Sequence, residues 1–138
     1  MPAMLNHTIV LAHDKQVTGR HLTTILGLPD HTRFGPFAVV QLANGVSLDV
    51  ADDHGEPHPQ HYAFLVTENE FDAAHARLIE HGLTYWADPF HRREGEINHG
   101  DGGRGLYWLD PNGHSLEILT VPYGGWPAAA ADPPILVG

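Results

Sequence analysis

The chain of 138 residues is 42% hydrophobic and 17% charged, a composition typical of one soluble globular domain. Seven lysines and arginines against 17 aspartates and glutamates give a formal net charge of -10. This balance argues against nucleic acid or a membrane as a partner, because phosphate binding needs clustered basic side chains. The absence of cysteine excludes disulfides, thiolate metal sites and cysteine nucleophiles. No stretch resembles a secretory signal or a membrane span, so a cytoplasmic location is expected.

The first half of the sequence predicts a strand, a helix and a hairpin, in that order. Asp14 is placed to cap the N-terminus of the helix, and Gly27 is placed to end it. Asn44 and Gly45 form a turn that is a strong hairpin signal. The predicted bounds are 5–11 for the first strand, 15–26 for the helix, and 37–42 and 46–50 for the hairpin strands. The polar residues 52–60 are the predicted linker between the halves.

The second half repeats this plan. Thr67 and Glu70 have the spacing of a capping box at the start of a helix, and Gly82 is placed to end it. The predicted strands are 61–66, 84–86, 106–109 and 114–120, and the predicted apolar stripe of the helix is Phe71, Ala74, Leu78 and Ile79. A long polar insertion over residues 88–105 distinguishes this half, and such loops are more often functional than structural.

Each half carries one histidine near the start of its first strand and one carboxylate on its last strand: His7 with Asp49, and His61 with Glu117. Repetition of this kind indicates two copies of one supersecondary unit. Packing about a pseudo-twofold axis would bring the four side chains to related positions, where two imidazoles and a carboxylate suit a divalent cation. Taken singly, each side chain is also explained as a hydrogen-bonded or solvent-facing strand residue.

Several motifs resemble those of a known group of proteins. The most specific is residues 107–117, which read YWLDPNGHSLE, and weaker matches are residues 5–7, 26–28 and 61–64. Over residues 5–123 the chain therefore resembles the vicinal oxygen chelate superfamily. This superfamily includes glyoxalase I, extradiol dioxygenases, fosfomycin-resistance enzymes and bleomycin-binding proteins.

The resemblance implies an α+β fold of two tandem βαβββ modules, which form a curved mixed sheet around a metal cleft. It implies a single domain over residues 1–125, with modules at about 5–52 and 60–123. Residues 126–138 are then a C-terminal tail, expected to be poorly ordered or laid over the surface. The cleft is completed either within one chain or in a homodimer, and a homodimer is expected.

The resemblance also implies that His7, His61 and Glu117 are the metal ligands. Glyoxalase I of the bacterial type has a fourth ligand, a glutamate, where this chain has Asp49. Because aspartate is one methylene shorter, Asp49 either reaches the metal through water or acts as a nearby base. We therefore predict three protein ligands. The metal is Fe(II) or Mn(II) by preference, and Zn(II) or Ni(II) are alternatives.

Other side chains are candidates for contact with a small-molecule substrate. Arg104 is predicted to hold an anionic oxygen, with a solvated surface arginine as the alternative. Tyr107 is a candidate for catalysis and substrate binding, and Trp86 for an apolar pocket wall, although core packing explains both equally well. His99 could move protons near neutral pH, together with Asp49, but a loop histidine is often incidental.

These features predict a metalloenzyme that acts on a small oxygenated organic molecule chelated to the metal. Ring cleavage of the dioxygenase type is favoured, with glyoxalase-type chemistry open. Thiol transfer of the fosfomycin type is less favoured, because residues 94–105 replace the short loop of those enzymes and no basic cluster follows Glu117. The alternative from another class is a non-catalytic resistance protein that sequesters a toxic small molecule or a metal.

Overall fold

A computed structural model describes residues 2–125 of the chain, which form two compact units. Unit 1 contains residues 2–60 and 109–114, and unit 2 contains residues 61–108 and 115–125. Each unit is built on a four-stranded mixed sheet and one helix. The predicted α+β class with two βαβββ modules is confirmed. That residues 1–125 form one domain stays a prediction, and the predicted tail lies outside the described residues.

Unit 1 follows the order strand, helix and three strands. The sheet has the order β1-β4-β3-β2, with β1 parallel to β4 and the other neighbours antiparallel. The elements are β1 (His7–Ala12), α1 (Lys15–Leu26), β2 (Thr32–Phe34), β3 (Phe37–Gln41) and β4 (Ser47–Asp52). The sequence patterns did not indicate β2, because its three residues are all exposed and carry no apolar alternation.

Helix α1 has the bounds and caps that the sequence predicts. The Asp14 carboxylate accepts hydrogen bonds from the backbone amides of Gln16 and Val17, which would otherwise lack partners in the first turn. Gly27 ends the helix in the left-handed conformation, with φ of 68°, which an L side chain rarely adopts. The helix therefore begins and ends for local reasons.

Unit 2 repeats the same order of elements. Its sheet has the order β5-β8-β7-β6, with β5 parallel to β8. The elements are β5 (His61–Leu65), α2 (Glu68–Glu80), β6 (Tyr85–Trp86), β7 (Gly105–Leu109) and β8 (Ser115–Leu119), with short 3-10 turns at Gly100–Gly102 and Tyr123–Gly125. Within residues 2–125, neither helix combines the length and the apolar character that crossing a membrane requires.

Helix α2 begins with the predicted capping box, in which Thr67 and Glu70 each bond the backbone amide of the other. Its buried face consists of Phe71, Ala74 and Leu78. The prediction that Ile79 belongs to this face is wrong, since Ile79 is 58% exposed. One residue advances about 100° around a helix, which carries Ile79 beyond the edge of the stripe.

The two sheets pair their first and last strands in equivalent register, which confirms the internal repeat. In each, the histidine that begins the first strand lies opposite a serine, and the carboxylate lies opposite the residue two positions after the histidine. The pairs are His7 with Ser47 and Ile9 with Asp49 in unit 1, and His61 with Ser115 and Ala63 with Glu117 in unit 2. Because side chains alternate along strands, each histidine and carboxylate share one face of their sheet.

Candidate metal centre and adjoining pocket

Glu117 is a charged side chain buried on strand β8, with 1% of the residue exposed. Its neighbours Leu116 and Ile118 point to the opposite face and are also buried. Both carboxylate oxygens accept the Tyr123 hydroxyl, at 2.9 Å for Oε1 and 2.8 Å for Oε2. Oε1 also lies 3.1 Å from Nε2 of His61. A buried carboxylate needs such partners, because removing it from water is otherwise costly.

The His61 ring is oriented by the strand that carries Glu117. Its Nδ1 lies 2.9 Å from the backbone carbonyl of Ser115. A carbonyl only accepts, so Nδ1 carries the proton and a neutral ring presents an unprotonated Nε2 to Glu117. Without a proton or a cation between them, Nε2 of His61 and Oε1 of Glu117 would be two acceptors 3.1 Å apart and would repel each other. A histidine whose second nitrogen donates to a carbonyl is the usual arrangement of a metal ligand, so this pair fits a divalent cation.

The matching residues of unit 1 have different partners. Nδ1 of His7 lies 2.7 Å from the side-chain oxygen of Asn6, which leaves Nε2 of an exposed ring available. The Asp49 carboxylate accepts the Ser47 hydroxyl at 2.9 Å. Asp49 is thus held along its own strand, whereas the longer Glu117 reaches the histidine of the neighbouring strand.

The structure brings together two of the predicted ligands, His61 and Glu117. His7 belongs to the other unit. Within residues 2–125, no three His, Asp or Glu side chains gather into one group that could hold an ion. The complete triad therefore stays a prediction.

Two tyrosines extend the hydrogen bonds from Glu117. The hydroxyls of Tyr107 and Tyr123 are 3.1 Å apart. Because Tyr123 donates its single proton to the carboxylate, its oxygen accepts from Tyr107. Loss of water around the two hydroxyl groups raises the pKa of Tyr107 and that of Tyr123, so both phenols are protonated at neutral pH. The Tyr107 ring also stacks near His61, with centroids 6.0 Å apart.

A cavity of about 230 Å³ adjoins this cluster within unit 2. Its polar wall includes the predicted residues Arg104, Tyr107 and Glu117, and its apolar wall includes Leu119 and Val121. The remaining lining residues are Asn98, Gly100, Asp101 and Tyr123. The inserted loop of residues 88–105 therefore contributes to the wall, as its length and polarity predict.

Arg104 borders the cavity, but its guanidinium is already bound to helix α2. It donates to Glu68 at 2.8 Å and to Asp72 at 2.8 Å. The group also lies 4.4 Å above the Phe71 ring, which adds a cation–π contact. Hydrogen bonding to Asp72 raises the pKa of Arg104 above its already high value. A substrate oxygen would have to share this cation with two carboxylates, and substrate binding by Arg104 stays a prediction.

His99 and Trp86 lie outside the lining of this cavity. His99 is exposed, between the lining residues Asn98 and Gly100. Trp86 on β6 stacks against His91, with ring centroids 3.9 Å apart and planes 16° apart. Their predicted roles in catalysis and substrate binding stay predictions.

Tyr123 is the site residue that the sequence patterns did not indicate. It follows Pro122, after the end of β8, in a stretch without periodicity. Its contact with Glu117 depends on how the chain turns at Tyr123–Gly125. One available signal was its position: it follows Glu117 closely and is the last tyrosine of the chain.

Comparison with known proteins gives relatives that span most of the chain, although no protein-family model matches it. Glutathione transferase FosA of Serratia marcescens is 31% identical over 120 residues, which cover 83% of this chain and 78% of FosA. Two solved oxidases, ChaP-H1 and ChaP-H2, are 60% and 62% identical, each with a TM-score of 0.88. The matches cover 90% and 91% of this chain, and 100% and 99% of the oxidases.

Proposed function

The chain belongs to the vicinal oxygen chelate superfamily, and from this premise we propose that it is a metal-dependent oxidase of a small oxygenated organic molecule. The observation that carries the proposal is the identity of 60% and 62% with two oxidases over nine-tenths of the chain. The paired His61 and Glu117 support it, because a ring nitrogen whose partner nitrogen is bound to a carbonyl and a facing carboxylate oxygen suit a divalent cation. This proposal departs from the sequence-based expectation, which favoured ring cleavage of the dioxygenase type and left glyoxalase-type chemistry open.

The proposed ligands are His7, His61 and Glu117. We assign Asp49 no direct ligand role, because its carboxylate is bonded to Ser47 on the same strand. The predicted homodimer would allow His7 of one chain to meet His61 and Glu117 of another, and the single-chain alternative remains. A divalent metal, with Fe(II) or Mn(II) favoured over Zn(II) or Ni(II), would bind substrate oxygens as a Lewis acid and, if redox-active, pass electrons to O2.

The protein's own residues would bind and orient the substrate. The apolar wall of Leu119 and Val121 would cover a hydrophobic part of the molecule. The Tyr107 hydroxyl lines the cavity and donates its proton to Tyr123, so its oxygen would accept a hydrogen bond from a protonated substrate oxygen. Arg104 would place positive charge beside that oxygen while it remains anchored to α2. The cavity of about 230 Å³ favours a compact substrate or the reacting end of a larger one.

Two oxygen-dependent outcomes can be separated by where the oxygen atoms go. In an oxidase reaction the substrate loses a pair of electrons and a pair of protons, and O2 takes them up as H2O2. In a dioxygenase reaction both atoms of O2 enter the product. The measurement is oxygen uptake by protein loaded anaerobically with Fe(II), over a panel of catechols and hydroquinones. Peroxide is assayed in parallel, and the products of 18O2 are analysed by mass spectrometry.

His61→Ala tests whether the candidate centre carries this activity. We expect it to lower oxygen uptake by about 100-fold or more, because a ligand is lost from the metal. The matched control is His58→Ala, which removes an exposed histidine and should retain wild-type uptake. Equal activity of wild type and His61→Ala at full metal loading would contradict the proposal.

Thiol transfer is the second candidate, because FosA, a glutathione transferase, is 31% identical over most of both chains. Its test is loss of glutathione in the presence of small electrophiles under anaerobic conditions. Formation of a glutathione conjugate without any oxygen uptake in the aerobic assay would replace the oxidase proposal with this one.

A further inference from the structure

Tyr123 combines an exposed ring with a hydroxyl that reaches a buried carboxylate. The residue is 66% exposed, yet its hydroxyl lies 2.9 Å and 2.8 Å from the two oxygens of Glu117. Of those oxygens, Oε1 also faces Nε2 of His61 at 3.1 Å. Tyr123 and Glu117 both line the cavity, and a hydroxyl that contacts both oxygens restricts rotation of the carboxylate about its last bond.

Two contacts hold Tyr123 in this position. The Asp101 carboxylate accepts the backbone amide of Gly124 at 2.9 Å, which fastens the turn that begins with Tyr123. Tyr107 donates to the Tyr123 oxygen at 3.1 Å. Asp101 itself has φ of 52°, a left-handed conformation that is uncommon outside glycine. Strained backbone of this kind persists only where surrounding contacts fix it, and it is concentrated at functional sites.

We propose that Tyr123 is a positioning residue for the metal: its hydroxyl, within hydrogen-bond distance of both Glu117 oxygens, holds the carboxylate so that Oε1 stays directed at His61. This inference rests on the proposed metal centre and adds to it a residue that orients one of the ligands. It also gives the inserted loop a role, because Asp101 on that loop fixes the turn that carries the phenol. Loss of a partner that orients a ligand in this way commonly weakens metal binding by about 10- to 100-fold.

Tyr123→Phe tests the proposal, because it removes the hydroxyl and keeps the ring. Mn2+ is titrated into the full chain, and free Mn2+ is followed by electron paramagnetic resonance. We expect the dissociation constant to rise about 10- to 100-fold and the spectrum of bound Mn2+ to broaden. Tyr85→Phe is the matched control: it removes a half-buried phenol of unit 2 outside the cavity lining and should bind Mn2+ as wild type does.

Asp101→Ala is the second variant, and it tests the positioning role of Tyr123 if Tyr123→Phe fails to fold. It removes the contact that fastens the turn, while the chain keeps both the Tyr123 phenol and the Glu117 carboxylate. We therefore expect about 3- to 10-fold weaker Mn2+ binding. If wild type binds Mn2+ and the folded variants match it in affinity and spectrum, the positioning role is overturned and the metal centre stands. If wild type binds no Mn2+, both proposals are overturned.

Discussion

Replacing Glu117 with glutamine separates the stability of the metal-free fold from the stability that a metal adds. The side chain is 2% exposed, so the change removes a buried charge at almost constant shape. The glutamine carbonyl can still accept from Tyr123, and its amide can donate to the unprotonated Nε2 of His61. A buried charge costs several kcal/mol, while charge-assisted hydrogen bonds return about 1.5–3 kcal/mol each. We therefore expect metal-free Glu117→Gln to unfold at or above the wild-type temperature.

Bound metal should reverse this difference, so that wild type unfolds at a higher temperature than Glu117→Gln. At Mn2+ concentrations of about 100 times the dissociation constant, linkage adds about 2.7 kcal/mol to the free energy of unfolding. For a chain of this size that gain corresponds to a rise of roughly 8 °C in Tm. Calorimetry with and without Mn2+ should show this rise in wild type and in the exposed-site control Glu80→Gln. A rise of the same size in Glu117→Gln would refute the assignment of Glu117 as a ligand.

Three further changes have definite expected results. Gly103→Ala should lower the free energy of unfolding by about 1–3 kcal/mol in chemical denaturation, because a Cβ there would lie 2.7 Å from Val121. The control Gly100→Ala should lower it by under about 1 kcal/mol, because the closest contact of its Cβ would be 3.5 Å. Equal losses in the two variants would contradict a packing effect at Gly103. Burial lowers the pKa of His75 below 6.5, so the unfolded chain binds a proton before the folded chain does, and the free energy of unfolding should fall as pH drops below 6.5. In His75→Gln the free energy of unfolding should fall less over the same pH range. A pH profile of stability identical to that of wild type would contradict this role of His75. Asp49→Asn should leave the Mn2+ dissociation constant within about 3-fold of wild type, and a loss as large as that of Glu117→Gln would make Asp49 a ligand.

Much of the fold follows from local sequence signals. The bounds of α1 agree with the prediction because Asp14 and Gly27 act within one turn of the helix. The same is true of the capping box of Thr67 and Glu70. The equivalent strand register of the two units follows from the repeated turn and strand motifs. Strand β2 lacked such a signal, since its pairing depends on β3 and not on its own residues.

The site was less predictable, because its contacts join residues that are distant in sequence or lie in irregular segments. His61 and Glu117 were identified as candidates, but only the fold brings their side chains to 3.1 Å. The binding of Arg104 to α2 depends on Glu68, which is 36 positions away along the chain. Tyr123 was missed because no local pattern indicates where a turn after a strand directs a phenol.

Diffraction from crystals loaded with Mn2+ or Fe(II), with anomalous data collected at the metal edge, tests the proposed metal centre most directly. We expect one ion bound by nitrogens of His7 and His61 and an oxygen of Glu117, each at about 2.0–2.2 Å. The Tyr123 hydroxyl should stay within hydrogen-bond distance of the Glu117 carboxylate. An ion bound elsewhere, or a fully loaded crystal in which Glu117 contacts only His61 and Tyr123, would contradict it.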